Sequence, residues 1–181
     1  MVYVFLASGF EEIEALATVD ILRRAEIPVT TVGVGAKTIT GSHQISVVAD
    51  LTDTEFVYDG GVEMVVLPGG MPGTLELEKS VCVNSAVDRA DSEGKYIAAI
   101  CAAPSILGHK GLLRGKKACC YPGFEDQLIQ ASVVNDRVAH DGNIITSRGA
   151  GTVYEFAAKL VELLRDKEAA DKILNSMICK K

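Results

Sequence analysis

Short runs of β-branched and aromatic residues alternate along this chain with segments whose apolar positions recur at helical spacing. The first pattern predicts strands over Val2 to Leu6, Val29 to Val34, Met64 to Leu67, Tyr96 to Ile100, Ala118 to Cys120 and Ile144 to Thr146. The second predicts helices over Glu11 to Ala25, Val81 to Glu93, Pro104 to Gly108, Phe124 to Gln130, Thr152 to Leu164 and Glu168 to Ile178. Because the strands are apolar on both sides, they read as parallel strands joined by crossover helices that cover both faces of a sheet. Thr38 to Gly41 and Gln44 to Ala49, joined through Ser42 and His43, read instead as a small hairpin insertion. There is no internal repeat and no linker, and 181 residues suffice for one domain, 1–181, with its own core.

In open α/β sheets ligands bind where the carboxyl ends of the strands run into helices. Three such loops stand out: Ala7 to Glu14, Leu67 to Thr74 and Ile100 to Ser105. In the last, a buried strand runs into Cys101, and Pro104 suits the first turn of a following helix. Ala99 and Ala103 supply the small residues that a strand-to-helix elbow needs two positions either side of a nucleophile. Helix-leading amides there would favour a thiolate over a thiol and would hold an oxyanion formed on a substrate. A free cysteine is also an ordinary small core residue, and the local pattern alone leaves both readings open.

Ser8 and Glu11 have the spacing of a capping box, so Glu11 and Glu12 read as structural. Glu14 does not. At about 100° per residue it shares a stripe with Ala17, Thr18, Ile21 and Ala25, away from the charged positions. A carboxyl on an apolar stripe is driven toward its protonated form and could then donate to a thiolate, unless it reaches water at the stripe's rim. The loop with Pro68, Gly69, Gly70, Met71, Pro72 and Gly73 can bring backbone N–H donors close to another group, although glycines also simply make turns.

Charge and cysteine usage narrow the field. With 24 acidic against 18 basic side chains the net charge is -6, and no run of Lys or Arg exceeds two, which argues against nucleic acid as a partner. The opening apolar run is too short for a signal peptide or a membrane span, so the expectation is a cytoplasmic protein that does not engage membranes. Five cysteines without CxxC spacing support neither a disulfide framework nor zinc, and neither metal nor cofactor is expected. His43, His109 and His140 show no ligand or triad spacing and are expected in solvated or capping roles. Leu16, Val19 and Leu22 leave the first helix apolar around much of its circumference, which suggests a subunit contact.

Four segments together carry a resemblance. They are Ala7-Ser8-Gly9-Phe10-Glu11-Glu12-Ile13-Glu14 with Val19 to Ala25, Val66-Leu67-Pro68-Gly69-Gly70, Ala98-Ala99-Ile100-Cys101-Ala102-Ala103-Pro104, and Thr146-Ser147-Arg148-Gly149-Ala150-Gly151-Thr152. In this order they are similar to the DJ-one/ThiJ/PfpI superfamily, in the branch that contains the Parkinson-disease-associated protein and bacterial YajL-like proteins. The resemblance implies a flavodoxin-like three-layer α/β sandwich of the class I glutamine amidotransferase type, commonly a homodimer. It further implies Cys101 as an oxidation-sensitive nucleophile and Glu14 as its protonated partner. Gly70 and Ala102 then match the backbone donors to an oxyanion, with Gly69, Tyr121 and Ala150 beside the substrate.

Two departures from relatives matter. The peptidase members place a histidine directly after the cysteine, where this chain has Ala102, so peptidase activity is poorly supported. Eukaryotic members of the branch carry a pocket histidine before a proline, where this chain has Tyr121 before Pro122. The expected function is a glutathione-independent glyoxalase or deglycase acting on small dicarbonyls and early glycation adducts. The rival is an oxidative-stress sensor or chaperone-like protein working through Cys101 oxidation. A thiazole-biosynthesis role has no residue here to support it.

Overall fold

The computed structural model describes residues 1–179. Along the chain come β1 (Val2–Leu6), α1 (Glu12–Arg24), β2 (Val29–Gly33), the hairpin β3 (Thr38–Thr40) and β4 (Ser46–Val48), β5 (Leu51–Thr52), β6 (Met64–Leu67), α2 (Gly73–Lys79), α3 (Val81–Ser92) and β7 (Tyr96–Ile100). Then follow α4 (Pro104–His109), β8 (Lys117–Ala118), β9 (Ser132–Val133), β10 (Val138–Asp141), β11 (Ile144–Ser147), α5 (Val153–Leu164) and α6 (Lys167–Ser176). Seven strands form one sheet in the order β10-β11-β7-β6-β1-β2-β5, parallel throughout except for the β10–β11 pair. This is the flavodoxin-like α/β sandwich expected from the alternating apolar runs.

The strand alternation feeds two core layers. Val2, Val4 and Leu6 of β1, with Ala98 and Ile100 of β7, pack against α1, α5 and α6. Phe5 and Ala7, with Ile97 and Ala99, turn the other way onto α3 and α4. Successive side chains of a strand point to opposite faces, so each buried strand serves both layers at once. The chain order reverses between β1 and β6, and a gap in the crossovers opens at that point, above the carboxyl ends of the strands. The loops that follow β1, β6 and β7 meet there.

Some elements differ from the sequence expectation. The helix expected over Phe124 to Gln130 is a single tight turn, Glu125–Gln127, because its residues are mostly exposed and Leu128, at ψ 64°, leaves helical geometry directly after it. The strand expected over Ala118 to Cys120 pairs only through Lys117 and Ala118 with β9; the next amide, of Cys119, donates to the Thr146 hydroxyl instead. α2 starts inside the glycine-rich loop, and the antiparallel edge strand β10 carries too mixed a pattern to be seen in advance. Val19 and Leu22 are buried in the layer shared with α5, so they offer no face to a second subunit; of that expected contact only Leu16 keeps partial exposure.

The hairpin is held to α1 by Glu12. Its Oε1 accepts the His43 N–H at 2.7 Å and its Oε2 lies 2.8 Å from His43 Nδ1. A Cβ on Gly41 would sit 2.3 Å from Oε1, so only glycine lets the hairpin close onto the carboxylate. Burial pushes the Glu12 carboxyl up, but the His43 side chain and the amides around it outweigh that and hold it at about 2. The hydrogen bond to Glu12, then its charge, raises His43 above its ordinary 6.5. A depressed carboxyl contributes stability above its ordinary 4.5 and loses it as pH falls toward 2. A raised histidine contributes below 6.5 and loses it as pH rises through the raised value, so the clamp is strongest between 4.5 and 6.5. Glu12→Gln is therefore expected to lower the melting temperature at pH 5.5 by roughly 4–8 °C, for a loss of about 2 kcal/mol. The gap should close as pH approaches 2; a gap independent of pH would show that the charge contributes nothing.

Candidate active site

The elbow after β7 places Cys101. The strand is fully buried up to Ile100, and Cys101 then adopts φ 66°, in the left-handed region. That conformation costs a non-glycine residue about 1–3 kcal/mol and persists only where its surroundings impose it. Here the Cys101 N–H donates to the Ser147 carbonyl at 2.9 Å, and its own carbonyl accepts the Tyr121 N–H at 2.8 Å. Ala99 and Ala103 on either side are fully buried, which leaves no room for larger side chains. The cysteine itself is half-buried.

α1 delivers Glu14 to the same place. Its N-cap is Glu11, whose carboxylate accepts the Glu14 N–H at 2.7 Å; Ser8 stands outside the helix and makes no cap. Starting the helix at Glu12 turns Glu14 inward, where it is 1% exposed. Glu14 Oε2 accepts the Gly69 N–H at 2.9 Å, while Oε1 is buried and makes no hydrogen bond of ordinary geometry among the described residues, although the Cys101 thiol and the Ala150 amide stand close enough to act on the carboxyl. Gly69 is the contact point of the three loops. A Cβ there would lie 2.6 Å from Cys101 Cβ and 2.7 Å from Glu14 Oε2, distances no side chain tolerates. Its N–H is committed to Glu14, which makes Gly69 a positioning group. Gly70, at φ 92°, is equally confined, with the Glu11 nitrogen 2.4 Å from where a Cβ would be.

Burial pushes Glu14 up to about 7, against hydrogen bonding from the Cys101 side chain and from the Gly69 and Ala150 amides, which lower it. Burial likewise pushes the Cys101 thiol up to about 12, reinforced by the Glu14 charge and hydrogen bond, with the Ala102 and Gly70 amides pulling it down. The sequence leads one to expect a thiolate favoured by helix-leading amides beside an uncharged Glu14; while Glu14 is ionised, the thiol keeps its proton. The amides face the sulfur, but α4 is only six residues long, and burial with the neighbouring carboxylate outweighs them. Once Glu14 carries a proton its charge no longer opposes ionisation of the sulfur, so the two groups titrate as one unit competing for a proton.

Tyr121 and Ala150 line an open cleft of about 350 Å³ together with Arg137, Arg148 and Gly149. A Cβ on Gly149 would lie 3.3 Å from the Tyr121 ring and 3.8 Å from Glu14 Oε1, so this glycine forms the wall between cleft and carboxyl. Neither Arg148 nor Gly149 stands out from residue spacing, because a glycine-rich turn after a strand looks the same whether or not a cleft lies above it. A larger cleft, about 440 Å³, lies on the far side of Arg137 and Gly151 and contains none of the residues that face Cys101. The histidines serve elsewhere: His43 on Glu12, His109 between Glu78 and Gln127, His140 on the Gly142 carbonyl. No described helix is long and apolar enough to cross a membrane.

Residues 1–163 match the model of the DJ-1/PfpI family. The chain is 39% identical over 178 residues to Protein dj-1beta of Drosophila melanogaster, covering 97% of this chain and 95% of that one. It is 38% identical over 163 residues to Deglycase PH1704 of Pyrococcus horikoshii, covering 88% and 96%. Among solved structures, the crystal structure of Drosophila melanogaster DJ-1beta superposes with TM-score 0.92 at 38% identity over 98% of this chain and 96% of that one. An oxidized Toxoplasma gondii DJ-1 gives 0.91 at 36% over 98% and 97%. The chain belongs to the DJ-1/PfpI family.

The coupling of the two groups predicts a two-step titration. Alkylation of Cys101 by iodoacetamide, followed by peptide mass spectrometry, is expected to rise around pH 7 and again toward 12, tracking the pair's two deprotonations. Glu14→Gln should leave one step, displaced below 12 because the opposing charge is gone. The same single step in both proteins would show that the side chains do not interact.

Proposed function

We propose that this member of the DJ-1/PfpI family is a cysteine-dependent, glutathione-independent glyoxalase or deglycase acting on reactive dicarbonyls and early glycation adducts. The observation that carries this reading is a buried carboxyl coupled to a half-buried thiol on a strained elbow. A carboxyl that shares hydrogen bonding with a thiol is placed to take its proton and to return it. The name of the deglycase relative from Pyrococcus horikoshii supports the same class of chemistry.

The steps follow from the geometry. Glu14 takes the thiol proton, and the Cys101 sulfur adds to the aldehyde carbon of a dicarbonyl such as methylglyoxal. The oxyanion of the resulting hemithioacetal is met by the Gly70 and Ala102 amides that already face the sulfur. Glu14 then moves the proton from the former aldehyde carbon to the neighbouring carbonyl carbon, which converts the hemithioacetal to a thioester of a 2-hydroxy acid. Water releases the acid and restores the thiol. Tyr121 and Ala150 border the space the substrate would fill, and no histidine is required.

Purified protein incubated with methylglyoxal is expected to form lactate, with none above background for Cys101→Ala. Glu14→Gln should lower kcat by about 10²–10⁴-fold, the range of a positioned acid–base group. Full activity in the glutamine variant would remove Glu14 from the proton path. Activity should fall below pH 7, where the pair keeps both protons, and plateau above it.

A second reading rests on the same carboxyl, whose Oε1 could donate to one oxygen of a Cys101 sulfinate. Mild peroxide followed by mass spectrometry separates the two: a sensor adds two oxygens selectively at Cys101, whereas oxidation spread over all five cysteines counts against it. The reading includes a cytoplasmic homodimer. Ile13 on α1 and Ile45 beside the Glu12 clamp are each more than half exposed and would be covered by a second copy. Light scattering at micromolar concentration tests this, and a monomer would remove it.

A further inference from the structure

We propose that Arg148 makes the cleft beside Cys101 a subsite for an anionic group, so that the favoured substrates are dicarbonyls or glycation adducts that carry a carboxylate beyond the reacting carbonyl pair. The chain as a whole is acidic, with net charge -6, yet the wall of this cleft holds two arginines and no unpaired carboxylate. Arg137 is already engaged, by Glu155 at 2.8 Å and by the Gly151 carbonyl. Arg148 is half-buried and has neither an ion pair nor a hydrogen bond among the described residues. Arg148 itself lines the cleft, next to Gly149 and Ala150, and its charge also acts on the thiols of Cys119 and Cys120.

A half-buried guanidinium has lost part of its hydration without gaining a partner, and its planar fork matches a carboxylate. Two further features point the same way. α5 begins at Val153, just past the cleft residues Ala150 and Gly151, so the positive end of a twelve-residue helix faces it. Glu14 Oε1, buried and without a hydrogen bond of ordinary geometry, lies just behind Gly149, and when protonated the acid adds a donor and no charge. Within the proposed reaction, on which the substrate part of this inference rests, Arg148 acts as a specificity-determining residue. It favours carboxylate-bearing dicarbonyls and glycation adducts over neutral dicarbonyls.

The test does not depend on turnover. Iodoacetate and iodoacetamide alkylate a thiol by the same displacement of iodide and differ in one negative charge. Their rate constants at Cys101, read from its peptide so that the other four cysteines do not interfere, give an acetate-to-amide ratio. Arg148→Met is expected to lower that ratio by about ten-fold, the factor for one charge-assisted contact of ~1.4 kcal/mol, while leaving the amide rate close to wild type. Arg148→Lys should keep most of the ratio, and raising the salt concentration should lower it in the wild type. An unchanged ratio in Arg148→Met overturns the inference, as does an equal fall in both rates, which would mean lost access and not lost charge. If methylglyoxal yields no lactate but the ratio falls, the anionic subsite stands and the glyoxalase reading alone fails.

Discussion

The site depends on one hydrogen bond, from the Gly69 amide to Glu14, and on the burial that makes it necessary. A carboxyl withdrawn from water must be satisfied or protonated. The chain supplies the Gly69 amide from a loop that can approach only because residue 69 has no side chain. That approach sets the spacing of the loops after β6 and β7 and brings Cys101 against the carboxyl. The raised titration of both groups follows from the same arrangement, since each is dehydrated; the Glu14 charge further opposes ionisation of the sulfur, whereas the thiol's hydrogen bond favours the ionised carboxyl.

Fold and site are linked through the point where the chain order reverses. Strands buried on both sides force helices onto both faces, and the crossovers then part between β1 and β6. The loops after these two strands and after β7 are the ones that hold Glu14, Gly69 and Cys101. Rigidity comes from outside the trio: β11 accepts the Cys101 amide, the Tyr121 amide binds its carbonyl, and Glu12 draws the hairpin against the start of α1. A strained φ at the cysteine is thereby held through both its amide and its carbonyl.

Much of this was legible in residue order. The period-two and helical patterns identified the central strands and most helices to within a residue or two, because those elements bury whole faces and leave a strong signal. Glu14 was visible as a carboxyl on the wrong stripe of a helix, and Cys101 as a cysteine between small residues at an elbow. What escaped detection depended on contacts across the chain. The Cys119 amide leaves its strand for the Thr146 hydroxyl, and the apolar positions Val19 and Leu22 are covered by α5, not by another subunit. The Glu12–His43 clamp joins residues 31 apart, and no local pattern announces it. The balance of charge at the thiol also could not be read locally, since the amides were foreseeable but the extent of dehydration was not.

Gly149 separates the Tyr121 ring on one side from Oε1 of Glu14 on the other, with a thickness of one peptide. The surface that would choose a ligand and the acid that would transfer its proton therefore share a partition while belonging to different segments of chain. Side chains on the outer surface can be exchanged through evolution to admit other molecules, and the inner machinery need not be rebuilt. Tyr121 and Arg148 are side chains of that outer surface, so exchanging them leaves the contacts among Glu14, Gly69 and Cys101 in place.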